Sequence, residues 1–196
     1  SHTIPKYDIK SASFSISNFV DFYPDDCVHL SVIDPGVGGN RKPLIVKTEN
    51  FFLVTPDNGT ASLVIDNYPC KIYEIKTDWI HWPISNTFHG RDIFAPAAAE
   101  LVCGTAVEEI GELYTGEVIN FASKAQQKGD KKWELKVLHV DHFGNIITNL
   151  RKDQLGENSD LRNARIQIGR TFLYGIKTHF SEVNKGQCLM LWGSSD

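Results

Sequence analysis

The chain has 196 residues, of which 41% are hydrophobic, and it carries 20 lysine and arginine residues against 24 aspartate and glutamate residues. A chain of this length and apolar content can bury a substantial core, and its net charge of −4, without long charged runs, argues against a nucleic-acid-binding surface. No apolar stretch approaches the roughly 20 residues that cross a bilayer, so no membrane partner is expected.

The chain has four cysteines, which are far apart and form no C-x-x-C motif: Cys27, Cys70, Cys103 and Cys188. This spacing argues against a zinc knuckle or a disulfide framework and indicates reduced thiols, as in a cytoplasmic protein. The chain begins at Ser1, without the cationic start and apolar centre of a signal peptide, and Met190 is its only methionine. We therefore expect the natural start of the gene product to precede Ser1.

The first half of the chain predicts alternating helices and strands. Apolar residues recur at spacings of three and four from Asp8 to Tyr23, which predicts a helix that ends before Pro24. Short β-rich runs follow at 27–33, 43–48, 51–55 and 71–76, and residues 49–50 form a tight turn between the second and third runs. A second helix is predicted over 90–104, with Pro96 near its first turn and Gly104 as its C-cap.

The pattern changes after Gly111. Residues 122–132 are polar and have no apolar period, which indicates a linker or an exposed turn, and the later apolar runs are short and alternating, as in a small all-β unit. The sequence therefore predicts an α/β fold. Its N-terminal domain (1–118) has a central sheet flanked by helices, followed by a linker (119–130) and a small C-terminal β-barrel-like domain (131–196).

Four polar clusters stand at the ends of apolar runs, where ligand-binding loops of α/β folds tend to lie. They are DPGVGGNR (34–41), TPDNGT (55–60), NTFHGRD (86–92) and VDHFGN (140–145). The first is glycine-rich, yet it lacks the spacing of a P-loop or of a dinucleotide-binding fingerprint, and Pro43 soon interrupts it. A bound phosphate is therefore not the expected explanation of its glycines.

In the first cluster, the proline after Asp34 favours an extended backbone, and Gly36 permits a sharp turn that leaves the carboxylate facing a cavity. On spacing alone, an Asx-type turn is the stronger explanation of Asp34, and a lone Arg41 is most often a solvated charge. In the second cluster, Asp57 and Asn58 fit an ordinary turn better than a site, although their position before a short helix could present them to a ligand.

In the third cluster, His89 stands just ahead of a predicted helix, where an imidazole could orient or deprotonate a small molecule. The alternative is a capping or core histidine, with Arg91 in a structural ion pair. Asp92 is assigned to the N-cap of this helix rather than to chemistry.

In the fourth cluster, Asp141 and Asn145 flank a tight Phe-Gly turn between two strands. An acid and an amide so placed can bind an ammonium group and the edge of a heteroaromatic base, but a hairpin turn without a ligand explains them nearly as well. A metal site is the weaker interpretation of all four clusters, because their acids and histidines form no H-x-H, H-E-x-x-H or D-x-D grouping.

Taken together and in this order, four longer segments resemble the S-adenosyl-L-methionine (SAM) hydroxide adenosyltransferases: VIDPGVGGNRK, TPDNGTASLV, NTFHGRDIFAPAAAEL and VDHFGNIITNL. These enzymes are SAM hydrolases related to the fluorinases and chlorinases. The resemblance implies attack of water at the ribose 5′ carbon of SAM, with release of adenosine and L-methionine and without a metal or other cofactor. It also implies a homotrimer in which each SAM lies between the N-terminal domain of one subunit and the C-terminal domain of its neighbour.

The resemblance implies a role for each matching residue. The catalytic residues would be Asp34, Arg41 and His89, and the substrate-binding residues would be Tyr7 near the sugar, Phe88 beside the reacting centre, Asp141 at the methionine ammonium and Asn145 at the adenine. In the halogenating relatives a tyrosine takes the position of Asp34. The Asp34, Arg41 and His89 set of this chain therefore implies hydroxide as the nucleophile.

The family pattern also has an N-terminal strand with a TDFG-type loop and a further C-terminal strand at the adenine. The resemblance therefore implies that this chain, which ends in WGSSD (192–196), is truncated at both ends. Two other functions stay open: a SAM- or nucleoside-binding module without turnover, and a metal-dependent phosphoesterase that uses Asp34, Asp57 and His89.

Overall fold

The structure is a computed structural model, and it describes residues 4–122, 124–155 and 161–193. The chain divides into two compact units. The first consists of residues up to 124 together with 136–148, and the second consists of 125–135 and the residues from 149 onward. None of the helices in the described ranges is long and apolar enough to cross a bilayer.

The first unit is built on a five-stranded mixed sheet with the strand order β1-β3-β2-β4-β5. Its strands are β1 (Cys27–Leu30), β2 (Pro43–Lys47), β3 (Phe51–Pro56), β4 (Lys71–Ile75) and β5 (Gly111–Leu113). β1 is parallel to β3, whereas β2 is antiparallel to both β3 and β4, and β5 is antiparallel to β4. The carboxyl ends of β1, β3 and β4 therefore lie at the same end of the sheet.

Helices cover both faces of this sheet. They are α1 (Ile9–Phe19), which continues into a 3-10 turn (Val20–Phe22), α2 (Ser62–Asn67), α3 (Ala95–Val102) and α4 (Val107–Ile110). Successive strand residues point to opposite faces, so Ile45 packs in the cluster of α3 and α4, whereas Val46 packs in the cluster of α1 and α2. The predicted α/β fold with a central sheet flanked by helices is confirmed in this unit.

The helix predicted over 90–104 consists of two pieces. A π-helical turn (Gly90–Phe94) precedes α3, and Pro96 lies in the first turn of α3. Proline has no backbone N–H, so the carbonyl of Asp92 lacks its usual partner within the helix. The indole Nε1 of Trp82 donates to that carbonyl instead, at 3.2 Å. Gly104 ends the helix with a φ of 90°, as expected of a C-cap glycine.

A hairpin of β8 (Val137–Val140) and β9 (Ile146–Thr148) also belongs to the first unit. It packs on α1, where the His139 ring stacks on Phe14 with the ring centroids 4.6 Å apart. The Oγ of Ser11 lies 3.3 Å from Nδ1 of the same histidine. The hairpin falls within the span predicted as the C-terminal domain (131–196), a division that stays a prediction.

The second unit contains six short strands in its described residues. They are β6 (Gln126–Gly129), β7 (Lys132–Glu134), β10 (Arg165–Ile168), β11 (Thr171–Tyr174), β12 (Ile176–Lys177) and β13 (Met190–Leu191). They pair as three separate two-stranded sheets, β6 with β7, β10 with β11 and β12 with β13. The β-barrel predicted for this region is not confirmed, because a barrel needs each strand to pair on both sides. β6 lies within the span predicted as a linker (119–130).

Candidate active site

The loop of residues 34–41, between β1 and β2, is closed by an ion pair between its two end residues. Arg41 donates from Nε to Oδ1 of Asp34, at 3.0 Å, and from Nη2 to Oδ2 of Asp34. The two side chains are only 8% and 6% exposed. A two-pronged guanidinium–carboxylate contact with so little water around it has a well-defined geometry. Arg41 is therefore not a solvated surface charge.

His89 joins this pair from the loop that precedes the π-helical turn. Nη2 of Arg41 lies 2.8 Å from Nδ1 of His89. A guanidinium can only donate, so Nδ1 accepts this hydrogen bond and the proton of the neutral imidazole is on Nε2. Burial, and then the charge of Arg41, lower the pKa of His89, while the carboxylates of Asp34 and Asp92 act in the opposite direction. The ring is thus a neutral imidazole at pH 7.

A close backbone approach joins the two loops that carry these residues. Gly38 has a φ of 78°, and a Cβ at this position would lie 2.3 Å from the backbone oxygen of Asn86. Glycine is the residue that meets both conditions, since it tolerates this φ and has no Cβ. Gly38, one of the glycines of the first cluster, therefore allows loop 34–41 to pack against the loop before His89.

Asp92 is not the N-cap that the sequence analysis assigned. His89 occupies the N-cap position of the π-helical turn and makes no side-chain cap bond. The carboxylate of Asp92 instead accepts from the backbone N–H of Ser85, at 2.8 Å, and from Nε of Arg91, at 2.6 Å. The Arg91 hydrogen bond, followed by that of Ser85, lowers the pKa of Asp92. The assignment was wrong because the helical turn begins three residues earlier than an Asp92 cap requires.

Two aromatic residues assigned to the substrate are exposed on the first unit. Phe88 is 53% exposed, and the guanidinium of Arg91 lies over its ring, 4.7 Å from the centroid. Tyr7 is 74% exposed and has a φ of 66°, an uncommon value for a residue with a side chain. Both rings are accessible to a ligand, and their roles at the substrate stay predictions.

Asp141 and Asn145 close the turn between β8 and β9. Oδ1 of Asp141 accepts from the backbone N–H groups of Phe143, at 2.9 Å, and Asn145, at 2.8 Å, and Oδ2 accepts from Nδ2 of Asn145, also at 2.8 Å. These contacts, with the Asn145 side chain the largest cause, lower the pKa of Asp141. Among the described residues, no hydrogen bond joins this turn to Asp34, Arg41 or His89.

The turn after β3 makes contacts that the sequence analysis missed. The carboxylate of Asp57 accepts from the backbone N–H of Ile119, at 2.8 Å, so it is engaged in holding the chain. Asn58 donates from Nδ2 to the backbone oxygen of Ile33, the residue before Asp34, at 2.7 Å. The turn interpretation of this cluster is correct, but only the pairing of β1 with β3 shows which loop the turn contacts.

A cavity of about 780 Å³ opens beside Arg41 and His89. The end of β4 and the residues after it (74–78), together with 112–116, form much of its wall. Its volume lies within the range of about 300–1,000 Å³ that is usual for small-molecule sites. In the described parts of the chain, no group of three or more histidine, cysteine, aspartate and glutamate side chains is arranged to hold a metal ion.

Comparison with known proteins identifies the family. Residues 1–111 match the SAM hydroxide adenosyltransferase N-terminal domain, and residues 135–196 match the SAM hydroxide adenosyltransferase C-terminal domain. The chain belongs to the SAM hydroxide adenosyltransferase family. The resemblance inferred from the four motifs is confirmed, and the Asp34–Arg41–His89 network lies within the N-terminal match.

The chain is similar to several (R)-S-adenosyl-L-methionine hydrolases and, more distantly, to fluorinases. The (R)-S-adenosyl-L-methionine hydrolase of Methanocaldococcus jannaschii is 36% identical over 156 residues, which cover 79% of this chain and 54% of that protein. The Thermus thermophilus protein of the same name is 32% identical over 180 residues, which cover 87% of this chain and 69% of that protein. A fluorinase of Actinopolyspora mzabensis is more distant, at 22% identity, with 79% of this chain and 61% of that protein covered.

A solved structure shares the fold. The crystal structure of an uncharacterized conserved protein from Thermotoga maritima matches with a TM-score of 0.85 at 31% identity. The match covers 100% of this chain and 76% of that chain. The chain spans about half the length of the M. jannaschii relative that it matches.

Proposed function

We propose that the protein is a SAM hydrolase that forms adenosine and L-methionine. The observation that carries this proposal is the network in which one guanidinium nitrogen of Arg41 contacts both the carboxylate of Asp34 and the imidazole of His89. Its membership of the SAM hydroxide adenosyltransferase family and the names of its relatives give the substrate.

The step that needs catalysis in this reaction is the activation of the water molecule. A sulfonium is a good leaving group that departs without a metal or an acid, whereas neutral water is a poor nucleophile. An attacking water at this network would contact a carboxylate, a guanidinium and the Nε2–H of an imidazole in a site with little solvent. Donors aimed at a developing hydroxide stabilise it most where water is excluded.

The hydrogen bonds also suggest which group receives the water proton. Nδ1 of His89 already accepts from Arg41, and its Nε2 carries the proton, so this ring is a donor in the free site. Each oxygen of Asp34 accepts from Arg41 and keeps a further lone pair. Asp34 is therefore the proposed proton acceptor, and His89 the proposed donor to the water oxygen.

We further propose that Tyr7 and Phe88 contact the sugar and the reacting centre, and that Asp141 and Asn145 bind the ammonium and the adenine of SAM. No cofactor or metal is needed for this reaction. A homotrimer would bring Asp141 and Asn145 of one subunit to the site of its neighbour. Light scattering at assay concentration tests this, and an active monomer would contradict it.

The test of the proposed function is product formation by the full-length gene product. Incubation with SAM in water enriched in ¹⁸O should yield methionine and adenosine that carries the label at its 5′ oxygen, because water attacks that carbon. Binding of SAM without adenosine release would favour a binding module without turnover. Activity that depends on an added metal and stops on chelation would favour a phosphoesterase, although Asp57 is already held by Ile119.

A further inference from the structure

The turn after β3 holds both ends of loop 34–41. Nδ2 of Asn58 donates to the backbone oxygen of Ile33, at 2.7 Å, where the chain enters the loop. The backbone N–H of Asp57 donates to the backbone oxygen of Lys42, at 2.8 Å, where the chain leaves it. Two consecutive residues of one turn therefore tie the start and the end of the loop that carries the carboxylate–guanidinium pair.

The orientation of the Asn58 amide is defined by its partners. Its Oδ1 accepts from the backbone N–H of Thr60, at 3.2 Å, and from the Thr60 hydroxyl, at 2.8 Å, and Thr60 is fully buried. A backbone N–H can only donate and a backbone carbonyl can only accept, so Oδ1 must face Thr60 and Nδ2 must face Ile33. The side chain therefore has one defined orientation and links the segments that follow two neighbouring parallel strands, β1 and β3.

We propose that Asn58 is a positioning residue for Asp34, an inference that rests on the proposed SAM hydrolase function. The peptide that Asn58 holds leads directly into Asp34, and the following Pro35 restricts the backbone of Asp34 from the other side. Between these two constraints, the Asp34 carboxylate meets Arg41 in the geometry of the ion pair. Loss of the Asn58 donor releases the peptide before Asp34 and lets the carboxylate move relative to the substrate.

Two substitutions separate a positioning role from a general effect on folding. Asn58→Ala removes the donor, and a displacement of about 1 Å in a reacting group can cost up to about 10²-fold, so kcat should fall roughly 10- to 100-fold with KM changed much less. Asn58→Asp keeps the shape but sets a carboxylate oxygen against the Ile33 carbonyl. The charged residues next in the chain to Asn58 and to its partner Ile33 are Asp57 and Asp34, and Asp34 is paired with Arg41.

The Asn58→Asp variant also gives a signature in its pH profile. Once protonated, its carboxyl can donate to Ile33 as the amide does, so the ratio of its kcat to that of the wild type should rise as the pH falls below about 5. Asn58→Ala has no group that can do this, and its ratio should stay flat. Where Asn58→Ala fails to fold, as judged by circular dichroism, the Asn58→Asp ratio decides: a constant ratio over this pH range would overturn the proposal.

A second measurement is independent of turnover. The ¹⁵N resonances of the His89 ring report the bond to Arg41, and they should shift in both Asn58 variants as the loop loosens. Asn67→Asp is the matched control, because Nδ2 of Asn67 donates to Ser17 Oγ, at 2.9 Å, far along the chain from loop 34–41, and this variant should match the wild type. Folded Asn58 variants with normal kcat and unchanged His89 resonances would overturn the proposal. A wild type without SAM hydrolysis would refute the proposed function, while the His89 resonances would still test the role of Asn58.

Discussion

Nη2 of Arg41 lies 2.8 Å from Nδ1 of His89, and this contact requires an Nδ1 without a proton. The same nitrogen donates to Oδ2 of Asp34, so the guanidinium sets the position of the carboxylate and of the ring together. Protonation of His89 at Nδ1 would place an N–H against a donor and break this link. The neutral ring is therefore the form that fits the folded site.

This contact predicts a pH dependence. The folded-state pKa of His89 is lower than its ordinary value of 6.5, chiefly because of burial. The stability that this depressed pKa contributes is fully present above pH 6.5 and is lost as the pH falls through the folded-state pKa, because the unfolded chain binds the proton first. The profile of kcat/KM should show an acid limb with a midpoint below 6.5, which ring NMR of His89 should reproduce.

The control for this titration is His29, a second histidine whose pKa is lowered by burial. It belongs to an aromatic cluster with Phe19, Tyr23 and Phe51 and lies outside the proposed network. His29→Gln should leave the acid limb of kcat/KM in place, whereas His89→Gln should remove it. An acid limb that survives His89→Gln would show that another group is responsible.

The proposed water-activating residues should act as one unit. Proton transfer by a positioned group contributes about 10²- to 10⁴-fold in rate, so Asp34→Asn and His89→Ala should each lower kcat by something in that range, with SAM affinity much less affected. Because Arg41 joins the two groups, the double variant should be little worse than the worse single one. Exposed Asp130→Asn and His81→Ala are the controls. Near-normal kcat in both single variants would rule out this mechanism.

Much of the first unit could be predicted from local patterns in the sequence. The periodicity of α1 and the strand pair around residues 49–50 depend on residues close together in the chain, and both are confirmed. Asp92 could not be placed correctly, because its partner Ser85 and the π-helical turn depend on how Pro96 and Trp82 pack. In the sequence, an aspartate that caps a helix cannot be distinguished from one that, like Asp92, accepts from the backbone of another loop.

The geometry of the candidate site also depends on contacts between residues far apart in the chain. The motifs identify Asp34, Arg41 and His89 one by one, but a contact between residues 48 positions apart depends on the sheet that brings their loops together. Asn58 shows most clearly that a contact of this kind cannot be predicted from the local sequence. Asn-Gly is an ordinary turn signal, and only the parallel pairing of β1 with β3 places its amide against Ile33.

A pair of glycine substitutions tests the packing of the two site loops. Gly38 and Gly104 both have a positive φ, but a Cβ on Gly38 would meet the backbone oxygen of Asn86 at 2.3 Å, whereas a Cβ on Gly104 has no atom within 4 Å. Both alanine variants incur the backbone strain of roughly 1–2 kcal/mol. Gly38→Ala should cost at least about 1 kcal/mol more in the free energy of unfolding, because backbone must move.

Activity should separate these glycine variants even more clearly than stability. Gly38→Ala pushes loop 34–41 away from the loop of His89, so kcat should fall together with the hydrogen bond between Arg41 and His89. Gly104→Ala, at the end of α3, should keep the wild-type kcat. Urea unfolding and adenosine formation measure the two effects, and equal losses in both variants would show that strain alone is responsible.

Halide should not replace water in this site. Both oxygens of Asp34 accept from Arg41, and Nη2 of Arg41 also donates to His89, so Nε and Nη2 of the guanidinium are already engaged. A chloride ion would approach a carboxylate in a site with little water, where like charges repel strongly. Assays with SAM and excess chloride should give adenosine alone, and appreciable 5′-chloro-5′-deoxyadenosine would contradict the assignment of Asp34.

The role proposed for Asp141 can be tested apart from its role in the hairpin turn. Its carboxylate accepts from the backbone N–H groups of Phe143 and Asn145, so Asp141→Ala removes both the charge and the turn contacts. Asp141→Asn keeps an oxygen for those two N–H groups and removes the charge, together with the acceptor for Nδ2 of Asn145. A hydrogen bond to a charged group is stronger than one between neutral groups, so the asparagine variant should bind SAM roughly 10- to 100-fold more weakly.

This effect should appear in affinity and not in the chemical step, because the ammonium is remote from the bond that breaks. Isothermal titration should show the weaker binding of SAM by Asp141→Asn, while kcat at saturating SAM stays within a few-fold of the wild type. A substrate analogue without the amino group should bind the wild type and Asp141→Asn equally, because it has no charge for the carboxylate to meet. Exposed Asp153→Asn serves as the control for loss of a surface charge. If Asp141→Asn binds SAM as tightly as the control does, the carboxylate serves only the turn between β8 and β9.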